Sequence, residues 1–320
     1  MKTLNLITLF AAFLLASCTK EDLSECAIDI RFKYDYNTAR VDKFTTDIHK
    51  ITLFVFNQEG ECVGEYEDAG NFGPDYHMRL KLTPGMYDFV VWGELSSDMN
   101  INLGMNRLVK QQEEGRLNLL CRTTSNGERV ETFPHDLYYG ARKRIEVLAF
   151  GNEDVLISMI KDTKSIRTIF RGLPTSNPLT REENLICRIT AMDGDYDFDN
   201  SLVGNRLLTY MPQGNIKISG STFTLTENFV TLRLFENNSC KSQLTLEYRP
   251  ENTNPIKILD LSLDNTNLTN MIIHEYPNVD LVRDDVFELI FDYKGDYTFS
   301  NYTIDVNGWI VARRGTIIVG

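Results

Sequence analysis

Four aspartates alternate in the stretch MDGDYDFDNS, residues 192–201, and their type and spacing come nearest to chemistry. Asp193, Asp195, Asp197 and Asp199 present carboxylates at every second position, an oxygen-rich pattern that can hold Ca2+. The stretch departs from the helix–loop–helix calcium loop. Phe198 stands at its glycine position, and Gly204 stands where its bidentate glutamate belongs. The flanks read as strands rather than helices. A simpler reading turns Tyr196 and Phe198 inward on the two-residue repeat of a strand and leaves the aspartates in water, with no metal bound. Charges alternating in this way also guard a sheet edge against unwanted pairing.

Other reactive residues are sparse. The four histidines, His49, His77, His135 and His274, stand at no metal-binding spacing from one another. No Gly-x-Ser-x-Gly motif and no glycine-rich phosphate loop occurs, so neither catalysis nor a cofactor is expected. The six cysteines include no Cys-x-x-Cys pair, which argues against a zinc ribbon or a thioredoxin-like site. Spacing leaves disulfide pairing among Cys26, Cys62, Cys121, Cys187 and Cys240 open, with at least one unpaired because five is odd, and single buried thiols are the plainer expectation. The two tryptophans, Trp92 and Trp309, lie in strand-like runs and are expected in the core rather than on a sugar-stacking platform.

The sixth cysteine, Cys18, has a different setting. Lys2 gives the N-terminus a positive start, and Leu6 to Leu15 form an apolar run too short to span a bilayer as a helix. Small residues Ala16 and Ser17 follow, and Leu15-Ala16-Ser17-Cys18 resembles a bacterial lipobox, whose cysteine sulfur is acylated. Residues 1–17 are then a lipoprotein signal peptide and 18–25 an acylated linker. The plainer alternative is an ordinary signal peptide with a chance cysteine. Each buried CH2 of an acyl chain contributes roughly 0.8 kcal/mol, and stable anchoring takes more than one chain. The next residues, Thr19-Lys20-Glu21-Asp22, are similar to the Lys/acidic export signals of surface lipoproteins in Bacteroidia, which points to the outer face of the outer membrane.

Those features sit on a chain of 320 residues with a formal charge of −12 and 42% hydrophobic residues. The acidic balance argues against a nucleic-acid partner, because phosphate binding needs a basic face. Arg142-Lys143-Arg144 and Arg313-Arg314 are isolated clusters. The length suits two domains of about 150 residues each.

The elements that must position these residues are strands. From Cys26 to Tyr36 the alternation is clean, with Cys26, Ile28, Ile30, Phe32, Tyr34 and Tyr36 on one face, predicting a half-buried antiparallel strand. ITLFVF (51–56) is continuous and apolar, predicting a central strand covered on both faces. The run MRLKLTPGMYDFVVWG (78–93) predicts two strands about a Pro84-Gly85 turn. The polar segment 100–118 reads as loop with a possible helix. In NLTNMIIHEYP (267–277), Leu268, Met271, Ile272 and Tyr276 share a helical face, and Pro277 ends it. YTIDVNGWIV (302–311) closes the chain as strand. Many short strands with few helices predict an all-β fold of tandem β-sandwiches, divided at 149/150 into units 26–149 and 150–320.

The order of these motifs resembles that of the fimbrillin-associated anchor proteins of Bacteroidia. The resemblance is carried by the Cys18 lipobox, CAIDIRFKYDYN (26–37), DKFTTDIHKITLFVFNQEGECV (42–63), LTPGMYDFVVWG (82–93), DLYYG (136–140), NLTNMIIHEYP ahead of FELIFDY, and IDVNGWIV (304–311). It implies two tandem transthyretin-like β-sandwich domains with short helical insertions. It also implies a lipid-anchored accessory subunit that tethers or terminates a fimbrial shaft at the outer membrane. Its partners would be shaft or accessory subunits, joined by strand complementation. Only Cys18 carries over as a functional residue, the site of lipid attachment. Arg40, in a plausible loop, offers a basic point for proteolytic trimming. The competing expectations are a surface lipoprotein that binds glycans and, with less support, a lipid-anchored hydrolase. An exposed Trp92 or Trp309 in a concave site would favour glycan binding, and an open hydrophobic groove beside an unpaired strand edge would favour fimbrial assembly.

Overall fold

The computed structural model describes residues 27–95, 99–101, 117–119, 122–124, 127–130, 136–149, 154–175, 184–203, 206–236, 240–249, 254, 256–260, 267–295 and 298–317. The chain opens with β1 (Ala27–Lys33), the short helix α1 (Phe44–Asp47), β2 (Lys50–Phe56), β3 (Cys62–Ala69), β4 (Met78–Lys81) and β5 (Gly85–Gly93). Four short strands follow: β6 (Met99–Ile101), β7 (Leu117–Leu119), β8 (Arg122–Thr124) and β9 (Gly127–Val130). Then come β10 (Tyr138–Val147), β11 (Val155–Lys161), β12 (Lys164–Pro174), β13 (Leu185–Ala191), β14 (Asp195–Tyr196) and β15 (Leu208–Tyr210). The last part comprises β16 (Gln213–Ser219), β17 (Thr222–Thr231), β18 (Gln243–Tyr248), β19 (Ile256–Asp260), helix α2 (Leu268–Glu275), β20 (Val286–Gly295), β21 (Thr298–Val306) and β22 (Trp309–Ile317). The fold is all-β, as the sequence predicts.

A seven-stranded sheet in the order β3-β2-β5-β10-β11-β1-β4 forms the first unit. It curls on itself: Ile28, Ile30 and Phe32 of β1 share one core with Ile51, Leu53 and Val55 of β2, although three strands separate them in the sheet. Alternation buries the predicted face of β1, and Tyr34 continues it, but Tyr36 is exposed. β1 pairs antiparallel with β4 and parallel with β11, so the purely antiparallel expectation fails on one side. The long route from β1 to β11 makes a parallel pairing possible, because such a pairing needs a long crossover. β2 is buried on both faces, as its continuous apolar run requires.

The second unit is a sandwich of two six-stranded sheets, β16-β17-β12-β20-β21-β22 and β19-β18-β13-β15-β9-β8. Phe170, Phe223, Phe229 and Phe287 of the first sheet pack with Cys187 and Leu246 of the second in one core. Helix α2 lies where the apolar spacing puts it. Leu268, Met271 and Ile272 are buried, and the Asn267 side chain caps its start by accepting from the Asn270 amide.

Strand membership crosses the expected division at 149/150. β11 belongs to the first sheet, while β8 and β9, earlier in sequence, belong to the second unit. Of the segment expected as loop with a possible helix, both ends form strands, β6 and β7, and 102–116 lies outside the described residues.

The chain crosses between the units on either side of β8 and β9, and crosses again between β11 and β12 through Asp162 and Thr163, both buried. Their polar groups are matched except for Asp162 Oδ2, which is buried with no hydrogen-bond partner among the described residues. The Asp162 amide donates to the Leu137 carbonyl at 2.7 Å, and the Thr163 hydroxyl donates to Asp136 at 2.9 Å. The Asp162 carboxylate accepts from Asn200 at 3.0 Å, and Arg233 lies 3.9 Å away. Burial nevertheless pushes its pKa up to about 6, against the pull of Arg233. On one flank the Lys161 ammonium bridges Asp136 at 2.8 Å and Asp285 at 3.3 Å. On the other the Lys164 ammonium, fully buried, donates to the carbonyls of Val282 and Asp284 at 2.9 and 3.1 Å. Burial lowers its pKa to about 8.

The acidic stretch 193–200 also joins the units. Phe198 sets its ring edge-on against Phe54 and Phe56 of β2, with centroids 5.6 and 5.0 Å apart. Tyr196 is buried as expected. Asp193 departs from the expectation of an aspartate in water: it is buried and accepts from the Tyr210 hydroxyl at 2.8 Å. Burial pushes its pKa up to about 7, outweighing that hydrogen bond.

Two predictions follow from the junction and the acidic stretch. Lys164→Ala strands two buried carbonyls and should lower the unfolding free energy by about 3 kcal/mol in urea denaturation; unchanged stability would mean the ammonium is dispensable. For Asp193, the folded chain keeps the carboxyl proton up to about pH 7, whereas the ordinary carboxyl value is 3.8. Between those limits the folded state binds more protons, so stability falls as pH rises, by about 1.4 kcal/mol per pKa unit separating the two states. Asp193→Asn should flatten this fall in thermal melts taken from about pH 4 to about pH 7, and a fall of undiminished size would contradict the assignment.

Candidate functional site

The acidic stretch is not arranged around a cation. Asp195 pairs with Arg206 at 3.4 Å, Asp197 accepts from the Phe198 amide, and Asp199 accepts from the Ser201 amide. Among the described residues no group of three or more His, Cys, Asp or Glu side chains is placed to hold a metal. The histidines are dispersed. His77 lies 3.9 Å from Asp29, His274 lies 3.0 Å from Glu275, and His135 is outside the described residues. Cys187 and Cys240 are buried free thiols whose pKa burial raises, and Cys62 is a half-buried one. Cys18, Cys26 and Cys121 lie outside the described residues.

The tryptophans part company. Trp92 is buried against Tyr139, with ring centroids 5.0 Å apart. Trp309, also expected in the core, is 77% exposed. The reason is the dipeptide before it. Asn307 and Gly308 have φ of +52° and +86°, as a type I′ turn requires, and they split the run 302–311 into the β21–β22 hairpin. The side chain directly after the turn is thereby placed at a hairpin tip. The Asn-Gly pair was the signal available in sequence.

Trp309 lines a cavity of about 410 Å3, together with Arg40, Tyr276, Arg283, Asp284 and Asn307. The walls come from both units: the loop after β1, the segment after α2, and the hairpin turn. Two contacts tie them together. The Tyr36 hydroxyl donates to Asp280, and Asn307 donates through Nδ2 to Asp284 at 3.1 Å. Burial pushes the Asp280 carboxyl up, but the Tyr36 hydroxyl, two backbone amides and Arg283 outweigh it and hold the pKa below the ordinary value. Asp284 is buried and also receives the Asp280 amide at 2.9 Å and Arg283 Nε at 3.4 Å. Arg40 is exposed in the left-handed backbone region, with φ of +53°. Its guanidinium has no partner among the described residues.

Beside this cavity runs β22, an edge strand of nine residues that pairs only with β21 among the described strands. Both edges of the first sheet carry charge. β3 carries Glu65, Glu67 and Asp68, and β4 has four residues that include Arg79 and Lys81. β22 carries no acidic residue, though it includes Arg313 and Arg314, and Ile310 is 54% exposed on it. An exposed tryptophan in a concave site and an unpaired strand edge therefore occur side by side.

Several solved structures share the fold. The fimbrial anchor protein Mfa2 from Porphyromonas gingivalis superposes with a TM-score of 0.69 at 17% identity, over 91% of this chain and 99% of that one. A Bacteroides thetaiotaomicron protein provisionally described as polysaccharide-binding gives a TM-score of 0.70 at 22% identity, over 89% of this chain and 97% of that one. A Bacteroides ovatus protein provisionally described as an adhesin gives 0.67 at 17% identity, over 94% and 99%. No curated protein sequence matches the chain. The model of the fimbrillin-A associated anchor proteins Mfa1 and Mfa2 matches residues 23–314, nearly the whole length, and the chain belongs to that family.

Proposed function

We propose that this chain is a lipid-anchored accessory subunit that tethers or terminates a fimbrial shaft at the outer membrane. Membership of the anchor family supports the fimbrial role. In this reading residues 1–17 direct export and are removed. Cys18 carries the acyl chains, and residues 18–25 link the lipid to β1. The two folded units behind that linker meet at Asp162–Thr163, which we take as the division between them.

The shaft end of the chain is the finer question. The observation that carries our answer is the open edge of β22. A partner strand laid along it would gain a row of backbone hydrogen bonds, with specificity from side chains on alternate faces. Length favours this edge, since nine residues offer more pairing than the seven of β16 or the four of β4. Its lack of acidic residues favours it over β3. No catalytic group is needed for this work, and the reading assigns none.

A photo-cross-linking amino acid placed at Ile310 should capture a fimbrial subunit in the native bacterium. The same probe at Val63, equally exposed on the β3 edge, should not. Capture at Val63 and none at Ile310 would move the pairing site off β22.

A further inference from the structure

We infer that the cavity under Trp309 is a saccharide site, taking a pyranose ring at the end of a glycan chain. This goes beyond the anchor reading and does not depend on it. A large indole left 77% exposed beside a concavity is an open apolar platform. It is also a fixed one. The Asn307 amide donates to the Val286 carbonyl at 2.8 Å, and Asn307 Oδ1 accepts the Val286 amide at 3.2 Å. The Gly308 amide donates to Asp305 at 2.7 Å. The turn that presents Trp309 is thus held before any ligand arrives, which lowers the ordering cost of binding.

The remaining walls select the class of ligand. A cavity of about 410 Å3 falls in the range of small-molecule sites. An apolar side chain from a partner protein would leave the Arg40 guanidinium, which has no partner among the described residues, facing carbon. A pyranose has one C–H face and a rim of hydroxyls. The C–H face suits the negative face of the indole ring. The hydroxyl oxygens suit Arg40, whose guanidinium offers donors only and has no protein partner among the described residues. The Arg40 backbone strain, with φ of +53°, sits at the same wall, as strain often does at ligand sites. A carboxylate on the sugar would add a charge contact to Arg40, so uronic-acid termini should bind better than neutral ones.

The test uses the full-length chain carrying Cys18→Ala, secreted and purified, on an array of oligosaccharides ending in neutral hexoses or uronic acids. Hits are then titrated by isothermal titration calorimetry, which reads binding in the parent and in the variants that lack Trp309 alike. At least one saccharide should bind. Trp309→Ala should weaken it by about tenfold or more, Trp309→Phe should largely retain it, and Arg40→Ala should weaken uronic-acid ligands most. The thermal melting of all three variants should match the parent. Absence of any binding saccharide, or binding that survives Trp309→Ala, overturns the proposal. So does a Trp309→Ala variant that loses capture of a fimbrial subunit while the parent binds no sugar, since the platform would then be a protein contact.

Discussion

A two-residue connection with both residues buried constrains everything else in this chain. Asp162 and Thr163 carry the backbone from the first sheet to the second unit, and neither has room to swing. Buried polar groups are costly unless matched, so the surroundings must supply partners at fixed positions. Asn200, Arg233, Asp136 and Leu137 do so around the link, and the Lys164 ammonium pins the 282–284 segment beside it. The two units are therefore joined as one body rather than strung on a tether. In the proposed anchor function load would pass from one end of the chain to the other, and a slack linker would absorb it.

The same constraint shapes the cavity. Arg40 comes from the first unit, and Trp309, Asp284 and Asn307 come from the second. Their separation is set by how the units meet, through Phe198 on β2 and Tyr36 on Asp280 as well as through the buried link. Loosening the junction would open the site without touching it. The free edge of β22 begins at the same hairpin, so a strand-pairing surface and a ligand platform share one rigid support.

Much of the fold was legible in the sequence because its signals are local. Period-two alternation marked β1, a continuous apolar run marked β2, and helical spacing ended by Pro277 marked α2. Pairing between distant strands was not legible. Nothing in Ala27–Lys33 says that Val155–Lys161 will lie beside it in parallel, in a sheet otherwise built from strands before 149. Burial of charge was equally hidden. Asp193 looked like its neighbours Asp195 and Asp197, and only the Tyr210 hydroxyl opposite distinguishes it. Trp309 was misplaced although its cause lay in view, because Asn307-Gly308 turns a presumed strand into a hairpin. Cys18 stands apart. Its assignment rests on the lipobox pattern alone, since the residue lies outside those the structure describes.

The central claim is that this chain holds fimbriae to the cell through Cys18, and it meets its most direct test in the bacterium itself. Replacing the native copy with Cys18→Ala and measuring the share of fimbriae in the culture medium asks the question without purified parts. The account predicts that fimbriae are shed into the medium together with the altered chain. Fimbriae that stay on cells at the level of the parent strain would contradict it.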